Sequence, residues 1–216
     1  MSKKETNIIT EFDKEVYISC DVEADGPYPG DYSMLNFGCA SFKLIRKNPL
    51  EPLDTFSINL YPLLNAKQHP KTMKFWDDNI EVYRYITQNQ IEPNKAMDLF
   101  RNWINKQSGT PALVEYPGGW DFMYIYWYLM KFGGYSPFSF KSIGIATLAF
   151  AMLKDKRYRR TVKRNMPKHW FKNTKKHTHQ GLDDAIGQGQ QFMIMLIDNL
   201  KLEDKELLKQ SCGWDK

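Results

Sequence analysis

Three runs of strand-forming residues follow one another between residues 16 and 60, and the spacing then turns helical; that order constrains the fold more than any other feature of the chain. The first run, Val16-Tyr17-Ile18-Ser19-Cys20, is rich in β-branched and aromatic residues and ends at Asp21. Gly26-Pro27-Tyr28-Pro29-Gly30-Asp31 reads as a loop. Residues 33–44 read as a second strand, with Leu35, Phe37, Cys39 and Ser41 on one face, and residues 55–60 as a third, with Phe56, Ile58 and Leu60 alternating. Short connections between successive strands predict an antiparallel meander. A helix is expected within 75–86. Another is expected over 94–105, placing Ala96, Leu99, Phe100 and Trp103 on one face, with Pro93 as a start signal. Residues 111–116 read as a short buried strand and 120–132 as an aromatic helix stopped by Gly133-Gly134. Residues 143–153 read as a further helix, and 182–200 as a long one whose buried face is Ile186, Met193, Ile197 and Leu200. Strands first, then helices alternating with a strand, give an α/β fold with a mixed sheet covered on both sides by helices. One domain over 15–202 is expected, with a polar lead-in over 1–14 and a polar tail over 203–216.

With 42% hydrophobic and 14% aromatic residues the chain is expected to build a sizeable core, which argues against disorder. No apolar run approaches the roughly 18 residues of a membrane span, and the N-terminal Met1-Ser2-Lys3-Lys4 lacks a secretory apolar stretch. Cys20, Cys39 and Cys212 form no C-x-x-C pair and suit a reducing, cytoplasmic setting. The net charge of +5 is unevenly spread: residues 154–176 hold eleven basic residues against Asp155 alone, so this segment carries +10 and the remainder −5. A basic strip on an acidic body points to a polyanion such as nucleic acid, with Arg159, Arg160, Lys163 and Arg164 as candidate phosphate contacts. Tyr158, His169, Trp170 and Phe171, interleaved among them, could stack on bases. The plain alternative is a solvated loop.

Asp-x-Glu occurs three times, at Asp13/Glu15, Asp21/Glu23 and Asp204/Glu206. Only Asp21 follows an apolar strand, and alternation puts Asp21 and Glu23 on one side of it. Two adjacent carboxylates repel unless a cation sits between them, and hard oxygen ligands suit Mg2+ or Mn2+. His179 and Asp184 are the chain's only His-x4-Asp, at the start of the long last helix; a histidine that titrates near neutrality can act as a general base. Asp183 reads as a cap or surface residue. Asp121, after Gly118-Gly119 and before the aromatic helix, is either a helix cap or a third site carboxylate.

The ordered set of Asp21-x-Glu23, Asp121 and His179-x4-Asp184 resembles the DEDD exonuclease superfamily, in the histidine-containing (DEDDh) branch that includes ribonuclease T, oligoribonuclease and the proofreading exonuclease subunit of bacterial replicative polymerase. The resemblance spans residues 16–200. Gly181 stands where that branch commonly has Ala, and Pro117-Gly118-Gly119 occupies a stretch that often holds an Asn. The resemblance implies a ribonuclease H-like sheet, antiparallel in its first three strands and then parallel. It implies a divalent-metal-dependent 3′–5′ exonuclease that releases nucleoside 5′-monophosphates from single-stranded DNA or RNA. Two Mg2+ or Mn2+ ions would be held by Asp21, Glu23, Asp121 and Asp184, with His179 as general base. Met34 and Leu35, and the aromatic pair Phe75 and Trp76, would lie near the terminal nucleotide. Met34, Leu35 and Phe75 read equally well as core, whereas Trp76, followed by Asp77 and Asp78, is expected near the surface. Dimers are frequent among such relatives, and oligomeric state stays open. The rival readings are a catalytically silent nucleic-acid-binding module, a phosphoesterase acting on small nucleotides, and an interaction domain whose acids are caps.

Overall fold

The structure, a computed structural model, describes residues 9–213. Strands β1 (Glu15–Ala24), β2 (Met34–Phe42) and β3 (Asp54–Asn59) come first. Helices α1 (Pro70–Asp78), α2 (Ile80–Ile86) and α3 (Pro93–Asn105) follow, then β4 (Thr110–Glu115) and α4 (Trp120–Tyr128), which continues as a π-helical turn, Leu129–Gly133. After β5 (Ile143–Gly144) come α5 (Ile145–Leu153), three 3-10 turns, α6 (Gly181–Asn199) and α7 (Leu202–Cys212). The five-stranded sheet has the order β3-β2-β1-β4-β5. β1, β2 and β3 pair antiparallel, while β4 joins β1, and β5 joins β4, in parallel. The mixed sheet and the helices on both faces are those the sequence predicts.

Central β1 organises the molecule because both of its faces are covered. Its even residues Val16, Ile18, Cys20 and Val22 meet Met97 and Phe100 of α3 and Tyr124, Ile125 and Tyr128 of α4. Its odd residue Tyr17 joins Phe42 of β2, Phe192 and Met193 of α6, and Ile145 and Ala149 of α5. Each fully buried aliphatic or aromatic side chain in these layers contributes about 1.5–3 kcal/mol. The odd face, under α6, is therefore the one that receives Asp21 and Glu23. Among the described residues no helix is long and apolar enough to cross a membrane.

Several elements differ from expectation. Pro70, at the first helical position where a missing N–H costs nothing, starts α1 five residues early, and Asn79 divides the expected helix in two. Residues 143–144 form β5 rather than the start of a helix; two residues are too few to show a period. Leu99 is exposed, and Met97 and Ile104 take its place on the buried face of α3. On α6 only Met193 of the four expected residues is fully buried. The buried stripe runs through Asp184, Ala185, Gln188, Gln191 and Phe192, and its polar members hid the true face. Part of the polar tail is helical: α7 buries Leu208 in the second core cluster. The segment after α5 is ordered through buried Thr161, Met166 and Trp170, whose indole N–H donates to Asp198 (2.9 Å).

Candidate active site

Asp21 pairs across the sheet with Gly38, and the first turn of α6 lies directly on that pair. A Cβ on Gly38 would stand 2.1 Å from the Leu182 nitrogen, and one on Gly181 would stand 2.6 Å from Asn36 Oδ1 and 2.8 Å from the Gly38 nitrogen. Glycine at 181, in place of the Ala usual in the DEDDh branch, is thus required by the close seat of α6 on β1 and β2. That seat carries Asp184 to the two acids of β1. Carboxylate oxygens of Asp21, Glu23 and Asp184 all lie within 4.8 Å of one another.

His179 precedes α6 in the left-handed region (φ 58°), which costs a residue with a Cβ about 1–3 kcal/mol. The carboxylate of Asp184 holds the turn in place. It accepts the backbone N–H of Thr178 on Oδ1 (2.8 Å) and that of His179 on Oδ2 (2.9 Å). The His179 ring rests edge-on against Phe75 of α1, with centroids 5.0 Å apart. Burial, then neighbouring His177, pushes the His179 imidazole below its ordinary value of 6.5, opposed by Asp184.

Asp121 sits in the first turn of α4, which Gly119 opens in the left-handed region (φ 98°). It does not cap the helix. Its Oδ1 accepts the N–H of Val22 (3.0 Å), between Asp21 and Glu23, so it lies behind that pair and outside the cluster of three. Buried Glu115 at the end of β4 braces this corner, accepting the Phe122 N–H (3.0 Å) and the Ser142 hydroxyl.

Burial and crowding perturb Asp21, Glu23 and Asp121. Burial foremost, then the Asp184 carboxylate, pushes the Asp21 carboxyl up to about 8, against the pull of Gln188 and Lys163. Asp21 keeps some exposed surface, but protein surrounds its oxygens on most sides. Burial and then Asp21 raise Glu23 well above the carboxylate range; burial, Asp21 and Glu115 do the same to Asp121. Among the described residues neither Asp21 nor Glu23 has an ion-pair partner, so the charge deficit falls where the oxygens converge. This donor set fits a hard divalent cation, which carboxylate oxygens bind well.

The expected substrate contacts divide. Trp76 is a core residue, 2% exposed, with its indole N–H donated to the Ala24 carbonyl (3.0 Å). Its polar neighbours Asp77 and Asp78 face solvent while the helix turns Trp76 inward. Met34 and Leu35 are buried too, Leu35 against Trp76 and Ile86, and offer no open side-chain surface. Only Phe75 stands beside the site. In the basic segment Arg159, Arg160 and Arg164 are exposed. Lys163 lies over the Tyr116 ring (4.5 Å) and lines a cavity of about 330 Å3 with Lys175, His177, Asp184 and Gln188. Trp170 is an anchor rather than a stacking surface, and His169 pairs with Asp198 (2.9 Å).

Two site residues escaped the sequence reading. Gln188, one turn beyond Asp184, donates its amide N–H to Asp21 Oδ1 (2.5 Å), and its spacing from Asp184 on one helix face was the available signal. His177 Nδ1 lies 2.7 Å from Asp184 Oδ2, with its ring 4.2 Å from that of His179. Asp183 pairs with Lys175 instead of capping α6.

No family model matches the sequence. The chain is 30% identical over 197 residues to the 3′–5′ DNA exonuclease Cap18 of Escherichia coli, covering 89% of this chain and 97% of that protein. Its fold is similar to the nuclease domain of 3′hExo, a DEDDh family member solved bound to rAMP (TM-score 0.64, 17% identity, covering 87% of this chain and 94% of that one). It is also similar to the Mg2+- and Mn2+-bound form of Pop2p of S. pombe (TM-score 0.53, 14% identity, covering 94% and 90%).

Proposed function

Because the chain belongs to the DEDDh family of 3′–5′ exonucleases, we propose that it removes nucleoside 5′-monophosphates from the 3′ end of single-stranded DNA, with divalent cations held by Asp21, Glu23, Asp184 and Asp121 and with His179 as general base. The observation that carries this reading is the convergence of the three carboxylates beside His179. The choice of DNA follows the substrate named for the relative with 30% identity.

Two Mg2+ or Mn2+ ions bound there would supply charge neutralisation at the attacked phosphate and at the departing 3′ oxygen. The protein supplies the rest. His179, held below its ordinary pKa, is neutral at pH 7 and accepts the proton of the attacking water on its free ring nitrogen. Phe75 fixes the plane of the imidazole, and Asp184 fixes its backbone. Gln188 holds one oxygen of Asp21, so the other stays aimed at the centre. Val22 N–H does the same for Asp121. Lys163 and the exposed arginines beside it draw the phosphate backbone toward the groove.

The test uses 5′-labelled single-stranded DNA and RNA with Mg2+, Mn2+ or a chelator. Wild type is expected to give a ladder shortening from the 3′ end, faster on DNA, and lost both with chelator and in Asp184→Asn. Intact substrate under every condition, with binding retained, would replace this reading with that of a binding module.

A further inference from the structure

A general base needs one histidine, yet two meet at Asp184. His177 Nδ1 stands 2.7 Å from Asp184 Oδ2, the two imidazoles are edge to face at 4.2 Å, and one ligand atom each from His177, His179 and Asp184 lies within 4.8 Å of the others. We propose that these three side chains form a second metal site, selective for zinc over magnesium, whose occupancy shuts off the exonuclease.

The donor chemistry separates this site from the one beside it. Asp21, Glu23 and Asp184 offer only oxygen, the ligand of Mg2+ and Mn2+. Two imidazole nitrogens with one carboxylate oxygen suit a borderline metal such as Zn2+, which takes three protein ligands and leaves a fourth position to solvent. In a tetrahedral zinc site adjacent ligand atoms stand about 3.3 Å apart. The His177–Asp184 pair would open slightly from 2.7 Å, and the remaining ligand atoms, already within 4.8 Å, would adjust to the same spacing by ring rotation. The half-exposed His177 ring has room to move, whereas Asp184 is fixed by the two backbone N–H groups of Thr178 and His179. The site also opens onto the cavity between the basic segment and α6, which gives an ion a way in.

Both sites use Asp184. Zinc bound to His179 occupies the nitrogen that would accept the proton and diverts a carboxylate from the oxygen cluster. The inhibitory part rests on the reading of His179 as general base; the binding part does not.

The experiment titrates Zn2+ by calorimetry, and Co2+ by its visible absorption, into the full chain stripped with chelator. Wild type should bind one zinc per chain. His177→Ala, a substitution at a half-exposed position, should weaken zinc at least about tenfold, while Asp21→Asn should keep it within about twofold. Equal affinity in His177→Ala, or loss of zinc in Asp21→Asn, would overturn the site and leave His177 as an ion-pair partner. In the exonuclease assay with saturating Mg2+, with inhibition read against each protein's own zinc-free rate, His177→Ala should require at least about tenfold more zinc for half inhibition. Zinc binding with this mutational pattern but no exonuclease activity would sink the proposed function and keep the site. Exonuclease activity with zinc affinity indifferent to His177 would do the reverse.

Discussion

Gln188 is nearly buried, its amide N–H is given to Asp21, and its carbonyl oxygen has no partner. A leucine of similar size would remove that unpartnered oxygen together with the bond to Asp21. Gln188→Leu should therefore fold as well as wild type, and its effect should appear in metal dependence. Loss of a bond that orients a metal-ligating carboxylate weakens the metal about 10–100-fold, so the half-saturating Mg2+ concentration of the exonuclease should rise by that order with less change at saturation. An unaltered Mg2+ titration would reduce Gln188 to packing. His179→Ala belongs to the same scale. Its rate should fall about 10²–10⁴-fold. Because burial and His177 hold the imidazole below 6.5, the wild-type rate should rise with pH along a limb centred below that value and level off by pH 7. The variant should lack that limb; keeping it would move the general base elsewhere. Asp21 with Glu23, and His179 with Asp184, were each legible as a pair from strand alternation and a helix start, and were joined into one site only by the resemblance of the ordered set to the DEDDh branch. Gln188 was not, since a neutral amide carries no chemical flag. His177 was passed over because no acid stands five residues beyond it, yet the left-handed turn at His179 folds the chain back so that an acid seven residues on becomes its partner.

The elements show where pattern suffices. β1, β2 and β3 were readable because each is long enough for alternation to speak, while β5 owes its existence to Val114 and Glu115 of β4 alongside it. The seat of α6 was unreadable for a different reason. Its contact with the sheet is made by absent side chains, at Gly38 and Gly181, and no hydrophobic pattern reports an absence. Between α5 and α6 the sequence offered a charged strip and left open whether it is a solvated loop. Thr161, Met166 and Trp170 are buried, so the strip is a fixed strap that turns Arg159, Arg160 and Arg164 outward. If those arginines meet phosphates, replacing all three with Gln should flatten the plot of log affinity for single-stranded DNA against log salt, by about 0.7 in slope for each phosphate no longer neutralised. The rate at saturating substrate should stay the same. A slope equal to that of wild type would make the strap a solvated surface that happens to be ordered.

At the scale of the whole molecule the strap's Lys163 pulls on the Asp21 carboxyl without offsetting burial and Asp184, and the fold stores its electrostatic tension on the acidic side. The Asp21 carboxyl titrates near 8 in the folded protein against 3.8 for an unperturbed one, and Glu23 and Asp121 shift in the same direction. Between those values the native state binds more protons than the unfolded chain, so stability falls as pH rises. The contribution is whole below about pH 4 and is lost by the time pH has passed about 8. His179 acts in the opposite sense, since its lowered pKa makes stability rise with pH around 6.5, but it is one group against three. A divalent cation binds the deprotonated carboxylates and stabilises by mass action, more strongly where protons do not compete. Thermal denaturation in chelator should then give a Tm that declines from pH 5 to pH 8, whereas with Mg2+ the decline should flatten, so that the two curves diverge as pH rises. In Asp21→Asn both the decline and the divergence should shrink, because the amide carries no charge to repel its neighbours or attract the ion. Parallel curves with and without Mg2+ would mean that the convergence of Asp21, Glu23 and Asp184 is not a cation site. The crowding of these acids would then be a structural burden with no compensating ligand.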